Sequence, residues 1–185
     1  MTMILPFSTP IWSFSLNTDF LKAIEAAYLI QKDIGGRFFS NMGGYQSKDI
    51  DLKKYLPEVF EAVSNLKNFL SKEVECDLDF GNTWLNINKK GHYNATHVHP
   101  FSFLSAVIYL QIEENSGKIV FKNPTPAIHY PVNAANKYFF EEYWLLPKQG
   151  DIFVFPSYVE HYVQENKSDL DRISLAINFV TKEQA

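Results

Sequence analysis

The sequence predicts a mainly β fold, a jelly roll of the double-stranded β-helix kind with two N-terminal helices packed on its sheet. Three observations predict it: two amphipathic helical patterns within the first 78 residues, eight short β-branched and aromatic runs after Asp79, and no linker or internal repeat between them. The 185 residues suit a single domain, 1–185, with residues 1–78 as mostly helical support and 79–181 as the β-barrel core.

The first helical pattern runs from Asn17 to Lys32, where Phe20, Leu21, Ile24, Ala27, Tyr28 and Ile30 recur at helical spacing. Asn17, Thr18 and Asp19 offer N-cap oxygens ahead of it. The second runs from Pro57 to about Val74, through Val59, Phe60, Val63, Leu66, Phe69 and Leu70, with Pro57 suited to the first turn. Between them SNMGGYQS, residues 40–47, reads as a turn or loop with no regular element. The eight strand-like runs follow: TWLNIN, ATHVH, LSAVIYLQI, KIVFKN, YWLLP, DIFVFP, HYVQE and RISLAINFV.

Composition narrows the function classes. A formal charge of −4 and a pI near 5.7 argue against a nucleic-acid partner, which needs a basic face to neutralise phosphates. The lone cysteine, Cys76, has no second thiol for a disulfide or a redox pair. No signal-peptide pattern opens the chain and no long apolar run crosses it, so the expected setting is reducing and cytoplasmic, away from membranes. The oligomeric state is not legible, and a homodimer is left open.

The histidines carry the chemistry. Three of the five lie in GHYNATHVHP, and His161 follows the strand DIFVF. Residues two apart on a strand share a face, so His97 and His99 can both aim into a barrel while Val98 points away. His161 could close the site from a strand that becomes adjacent on folding, presenting three nitrogens to a first-row transition metal. His129 and His92 read more simply as surface or core histidines. The pair His97 and His99 is poor core material unless something coordinates or hydrogen-bonds it.

A second constellation lies in DLDRISLAINFV. Arg172, Ser174, Ala176 and Asn178 share one strand face, and Ile173, Leu175, Ile177 and Phe179 share the other. Arg172 is one of only two arginines, and an inward guanidinium is costly without an anion. It can grip a carboxylate bidentately, with Ser174 assisting. The plainer alternative is a surface Arg172 paired with Asp169 or Asp171.

Taken together, HVHP, SAVIYLQ, NSGKIVF, GDIFVFPSYVEH and the final RIS resemble the iron(II)- and 2-oxoglutarate-dependent oxygenases. More narrowly, TWLNINKKGHYNATHVHP and SNMGGYQS resemble a family of short oxygenases related to the prolyl hydroxylases and common in marine bacteria and cyanobacterial phages. The resemblance spans most of the chain. It implies that His97 and His161 bind Fe(II), that Arg172, assisted by Ser174, holds the far carboxylate of 2-oxoglutarate, and that Tyr109 also bonds this carboxylate. Tyr109 shares strand parity with Ser105 and Val107, and a packed core tyrosine is the alternative. Asn86 and Asn94 would line the mouth, although turn or edge-strand asparagines fit as well.

The wider superfamily has HxD or HxE where this chain has HxH. Three arrangements follow: His99 as third ligand, a carboxylate such as Asp151 or Glu160, or water. The first needs no unusual chain path and makes the site more positive by one charge. The implied activity is a dioxygenase, a hydroxylase of unknown substrate, which consumes O2 and decarboxylates 2-oxoglutarate to succinate. A cupin-type three-histidine metal protein that does not use 2-oxoglutarate is the alternative, on the spacing of Gly91 to His97 and of Gly150 to Pro156 and His161. Against it, positions 102–105 read SFLS where a cupin carries glutamate. A metal-free binding or structural protein with a degenerate site is the third possibility.

Overall fold

A computed structural model of the chain describes residues 8–125 and 141–182, and within them two antiparallel sheets face each other. The elements in order are β1 (Trp12–Ser15), α1 (Leu21–Asp33), β2 (Asn41–Met42), β3 (Tyr45–Gln46), α2 (Leu52–Tyr55) and α3 (Pro57–Glu73). There follow β4 (Leu78–Asn88), β5 (Tyr93–His97), β6 (Leu104–Gln111), β7 (Ile119–Lys122), β8 (Glu142–Leu145), β9 (Asp151–Pro156), β10 (His161–Val163) and β11 (Arg172–Thr181). The major sheet has the order β1-β9-β6-β11-β4-β3 and the minor sheet β2-β5-β10-β7-β8. Strands β4 to β11 coincide one for one with the eight runs legible in the sequence. They form the jelly roll, and the double-stranded β-helix expectation holds.

Both expected helices form, the first with a later start and the second from its expected residue. Helix α1 begins at Leu21, because the Asp19 carboxylate accepts the Leu21 backbone N–H at 2.9 Å and Phe20 is drawn into the core. Helix α3 opens on Pro57, whose missing N–H is not needed in a first turn. Both helices lie on the outer face of the major sheet. Ala23, Ala27 and Ile30 of α1 and Val59, Val63, Leu66 and Leu70 of α3 join Leu85, Ile108, Leu175 and Ile177 in one apolar cluster.

The segment 40–47 departs from expectation. It holds two short strands, β2 paired with β5 of the minor sheet and β3 paired with β4 of the major sheet. Such two-residue strands exist by pairing with longer neighbours, so residue pattern alone does not announce them. Asn41 closes the turn between them, donating from Nδ2 to the Gly44 carbonyl at 2.7 Å. Gly44 packs so closely on the Asn88 side chain that a Cβ there would collide with it. This segment, like β1, comes from before residue 79 and ties the first part of the chain into both sheets. Among the described residues no helix is long and apolar enough to cross a membrane.

Candidate metal centre

The site lies between the sheets. His97 ends β5, and His161 opens β10 directly opposite it, so the strand register makes the two a cross-strand pair. His99 stands two residues beyond His97, and its backbone N–H is fixed by the Ser157 carbonyl at 3.0 Å. The ring centroids of His97 and His161 are 4.3 Å apart, and those of His99 and His161 5.0 Å. One nitrogen from each of the three imidazoles lies within 4.8 Å of the others.

Every one of these rings has its Nδ1 occupied. That of His97 donates to the Ala95 carbonyl at 2.7 Å and that of His161 to the Val159 carbonyl at 2.9 Å. His99 Nδ1 lies 2.8 Å from Asn178 Oδ1, which also accepts from Ser105 Oγ at 2.8 Å. Asn178 is held in turn, its Nδ2 donating to Asn82 Oδ1 at 2.7 Å. With the proton on Nδ1, each ring presents Nε2 as a lone-pair donor, the form that binds metals. His99 Nε2 is buried with no partner. Burial, chiefly, also pushes all three pKa values down, that of His99 to about 4, so the imidazoles are neutral at pH 7.

The other expected site residues face the same interior. Ser174 and Asn86 line, with the three histidines, a cavity of about 40 Å³. Tyr109 pairs with Ser174 across β6 and β11 and is fully buried, its hydroxyl without a partner. Arg172 is 1% exposed, which removes the alternative of a surface pair. Asp169 instead holds Lys90 at 2.8 Å, and Asp171 holds Tyr28 at 3.0 Å. One guanidinium nitrogen of Arg172, Nη1, donates to the Ser116 and Gln164 carbonyls, while Nη2 is buried and unpartnered. Burial lowers its pKa to about 10, so it keeps its charge, and the Tyr109 hydroxyl beside it is raised by burial and stays neutral. Asn86 Oδ1 is also buried without a partner, and Asn94 accepts from Asn88 at 3.2 Å.

The carboxylates considered as third ligands lie elsewhere. Glu160 faces Lys122 at 3.6 Å, and Asp151 accepts the Lys148 backbone N–H at 2.8 Å. His92 accepts the Lys89 backbone N–H in the β4–β5 turn, and His129 lies outside the described residues. Three residues at the site went unassigned in the sequence. Asn178 was visible as an inner-face position of β11, but its bond to His99 spans 79 residues. Trp84 and Phe155, whose rings lie 5.2 Å from His99 and 4.5 Å from His161, read as ordinary strand aromatics.

The donor set fits a divalent first-row metal: three neutral nitrogens, oriented by hydrogen bonds and walled by aromatic rings. The cavity has room for an ion and a water molecule, since about 10–15 Å³ of such space holds one water. Arg172 and Tyr109 do not line this cavity. This fold and this cluster define a jelly-roll protein with an inter-sheet three-histidine site able to hold a metal ion. A family model described as "Putative 2OG-Fe(II) oxygenase" matches residues 82–178, just over half of the chain. The chain belongs to that family, whose cofactors are iron(II) and 2-oxoglutarate.

Solved structures agree on the fold. A prolyl-4-hydroxylase from Pseudomonas putida is similar at TM-score 0.70 and 17% identity, over 94% of this chain and 93% of that one. The α-ketoglutarate-dependent epimerase SnoN of nogalamycin biosynthesis is similar at TM-score 0.71 and 12% identity, over 92% of this chain and 76% of that one. HygX from Streptomyces hygroscopicus, with nickel, 2-oxoglutarate and hygromycin B bound, gives TM-score 0.63 and 11% identity, over 94% and 84%. At such identities the likeness is one of fold. No curated protein matches the chain by sequence.

Proposed function

We propose that this oxygenase is a hydroxylase whose Fe(II) is held by His97, His99 and His161 and whose 2-oxoglutarate is held by Arg172, with Ser174, Tyr109 and Asn86 beside it. The observation that carries the assignment is the pair of unpartnered buried groups, Arg172 Nη2 and Tyr109 OH, on the interior that also holds the three-histidine cluster with its orphan His99 Nε2. An unpaired buried donor is costly and calls for an explanation, and a carboxylate answers both groups at once. His99 as third ligand is supported by its orphan Nε2 and by the absence of any carboxylate from the cluster among the described residues.

When bound, the iron supplies the oxidative chemistry, in which O2 is reduced, 2-oxoglutarate is decarboxylated to succinate and carbon dioxide, and a substrate C–H bond is oxidised. The chain's own residues do the rest. Arg172 and Tyr109 fix the cosubstrate's far end, so that its keto-acid end faces the histidines. Asn178 keeps His99 in the Nδ1-protonated tautomer. Trp84, Phe121 and Phe155 keep bulk water from the centre.

Anaerobic addition of iron(II) and 2-oxoglutarate tests the reading. The visible charge-transfer band of the chelate is expected, with Arg172→Ala weakening 2-oxoglutarate at least a hundredfold, since removing one partner of a buried charged pair costs about 3 kcal/mol or more. Wild-type protein that binds iron but forms no band with 2-oxoglutarate would overturn it.

A further inference from the structure

One cross-strand row of the major sheet carries more unsatisfied polar groups than the cosubstrate can use. Gln46 of β3 lies opposite Asn86 of β4, Asn86 opposite Ser174 of β11, and Ser174 opposite Tyr109 of β6. Beyond β3 the row continues to Arg37, since the bridge between Gly36 and Ser47 and the 2.8 Å bond from Arg37 N to the Gln46 carbonyl set Arg37 opposite Gln46. Residues aligned in this way have neighbouring side chains on one face. That face is the inner one. Tyr45, the neighbour of Gln46, turns outward to the α1 carbonyls, and the Arg37 guanidinium lies over Trp84, which lines the cavity with the histidines.

Four members of the row hold a buried polar atom with no partner: Arg37 Nε, Gln46 Oε1, Asn86 Oδ1 and Tyr109 OH. The Tyr109 end faces Arg172 and belongs to the proposed cosubstrate site. The Arg37 end does not. Its guanidinium is set in a frame, 5.1 Å from the Phe39 ring centre and 5.5 Å from that of Trp84, with one nitrogen on Asp49 at 3.2 Å. Trp84 in turn lies 5.2 Å from His99. A fixed donor, separated from the metal centre by one indole, and the buried amide oxygen next to it in the row, both unsatisfied, are placed to hold a second molecule.

We propose that Arg37 and Gln46, flanked by Trp84, form the subsite that grips the prime substrate, and that the group they grip is a neutral carboxamide or ureide. This deepens the oxygenase reading and rests on it. Arg37 already has a counter-ion in Asp49, so the subsite has no net charge to offer an anion. A carboxylate would also face the Gln46 amide oxygen, itself an acceptor. A carboxamide presents C=O and N–H on one edge: the oxygen accepts from Arg37 Nε–H and the N–H donates to Gln46 Oε1. A trans peptide bond directs these two groups to opposite sides and cannot satisfy both at once. The planar group also suits the faces of Trp84 and Phe39.

The test uses the full chain loaded anaerobically with iron(II) and 2-oxoglutarate, and titrates propionamide and its isostere propionate while following Trp84 fluorescence. Trp84→Phe assigns the signal. Saturable binding of propionamide is expected, at least tenfold tighter than propionate. Arg37→Met and Gln46→Leu, which keep side-chain bulk, should each weaken it at least tenfold and leave the charge-transfer titration of 2-oxoglutarate at its wild-type midpoint. Equal or tighter binding of propionate overturns the proposal, as do variants that bind propionamide like wild type, or no amide binding in protein that forms the band. If the band never forms yet propionamide binds with this selectivity, the cosubstrate reading falls and the subsite stands.

Discussion

On β11, Ile173, Leu175, Ile177 and Phe179 turn outward to the helices, whereas Arg172, Ser174, Ala176 and Asn178 turn inward to the second sheet. The same division runs through β6, where Ile108 and Leu110 face out and Ser105 and Tyr109 face in. Outside, the cluster is apolar and its side chains are satisfied by contact. Inside, Arg172, Tyr109, Asn86 and His99 each keep a buried polar atom without a partner. The outer face stabilises the fold, and the inner face draws on that stability to keep polar groups buried and unpartnered, as the proposed ligand site requires.

Neighbouring residues can separate the two roles. Phe179 is fully buried in the outer cluster, and Phe179→Ala is expected to destabilise the protein by about 3–5 kcal/mol. Its metal affinity, measured on the folded fraction, should change little. Asn178→Ala, one residue away, should do the reverse. It removes the acceptor that orients His99 and should weaken metal binding about 10–100-fold, with a smaller loss of stability. Denaturant melts beside metal titrations read both, and a pair of variants with the same profile would break the division of labour.

The inner face should also give the metal-free protein an acid sensitivity that the outer face cannot. A histidine in the unfolded chain titrates near 6.5, whereas burial holds folded His99 near 4 and lowers His97 and His161 as well. Between those values the unfolded chain binds protons that the folded one refuses, so stability rises with pH. The contribution is complete above about pH 6.5 and is lost as the pH falls toward 4, on the order of 3 kcal/mol for His99 alone. Replacing the three histidines by glutamine should flatten that part of the curve in melts run from pH 7 to pH 4. A slope unchanged by the replacement would place the acid sensitivity elsewhere.

The division was partly legible in the sequence. Period-two alternation put Arg172 and Ser174 on one side of β11 and its branched residues on the other, and it put His97 and His99 together. It could not say which remote strands would meet. The pairing of His161 with His97, the bond from Asn178 to His99 and the row from Arg37 to Tyr109 depend on register between strands far apart in the chain. Segment 40–47 read as loop because two-residue strands carry no pattern of their own, and so the alignment of Gln46 with Asn86 stayed hidden. Arg37 drew notice only as one of two arginines.

The smallest expected effect is the sharpest test, because its sign is opposite on the two faces. Removing atoms from the outer cluster always costs stability. Tyr109→Phe removes only a hydroxyl that is buried and unpartnered, so the metal-free variant should be as stable as wild type or up to about 1 kcal/mol more stable. The same change takes away the donor proposed for the cosubstrate's far carboxylate and should raise the 2-oxoglutarate concentration needed for the charge-transfer band several-fold, in keeping with about 1 kcal/mol for one hydrogen bond. Stability gained together with cosubstrate affinity lost is what a group held ready for a ligand must show. A loss of stability with 2-oxoglutarate binding intact would make Tyr109 part of the structural core.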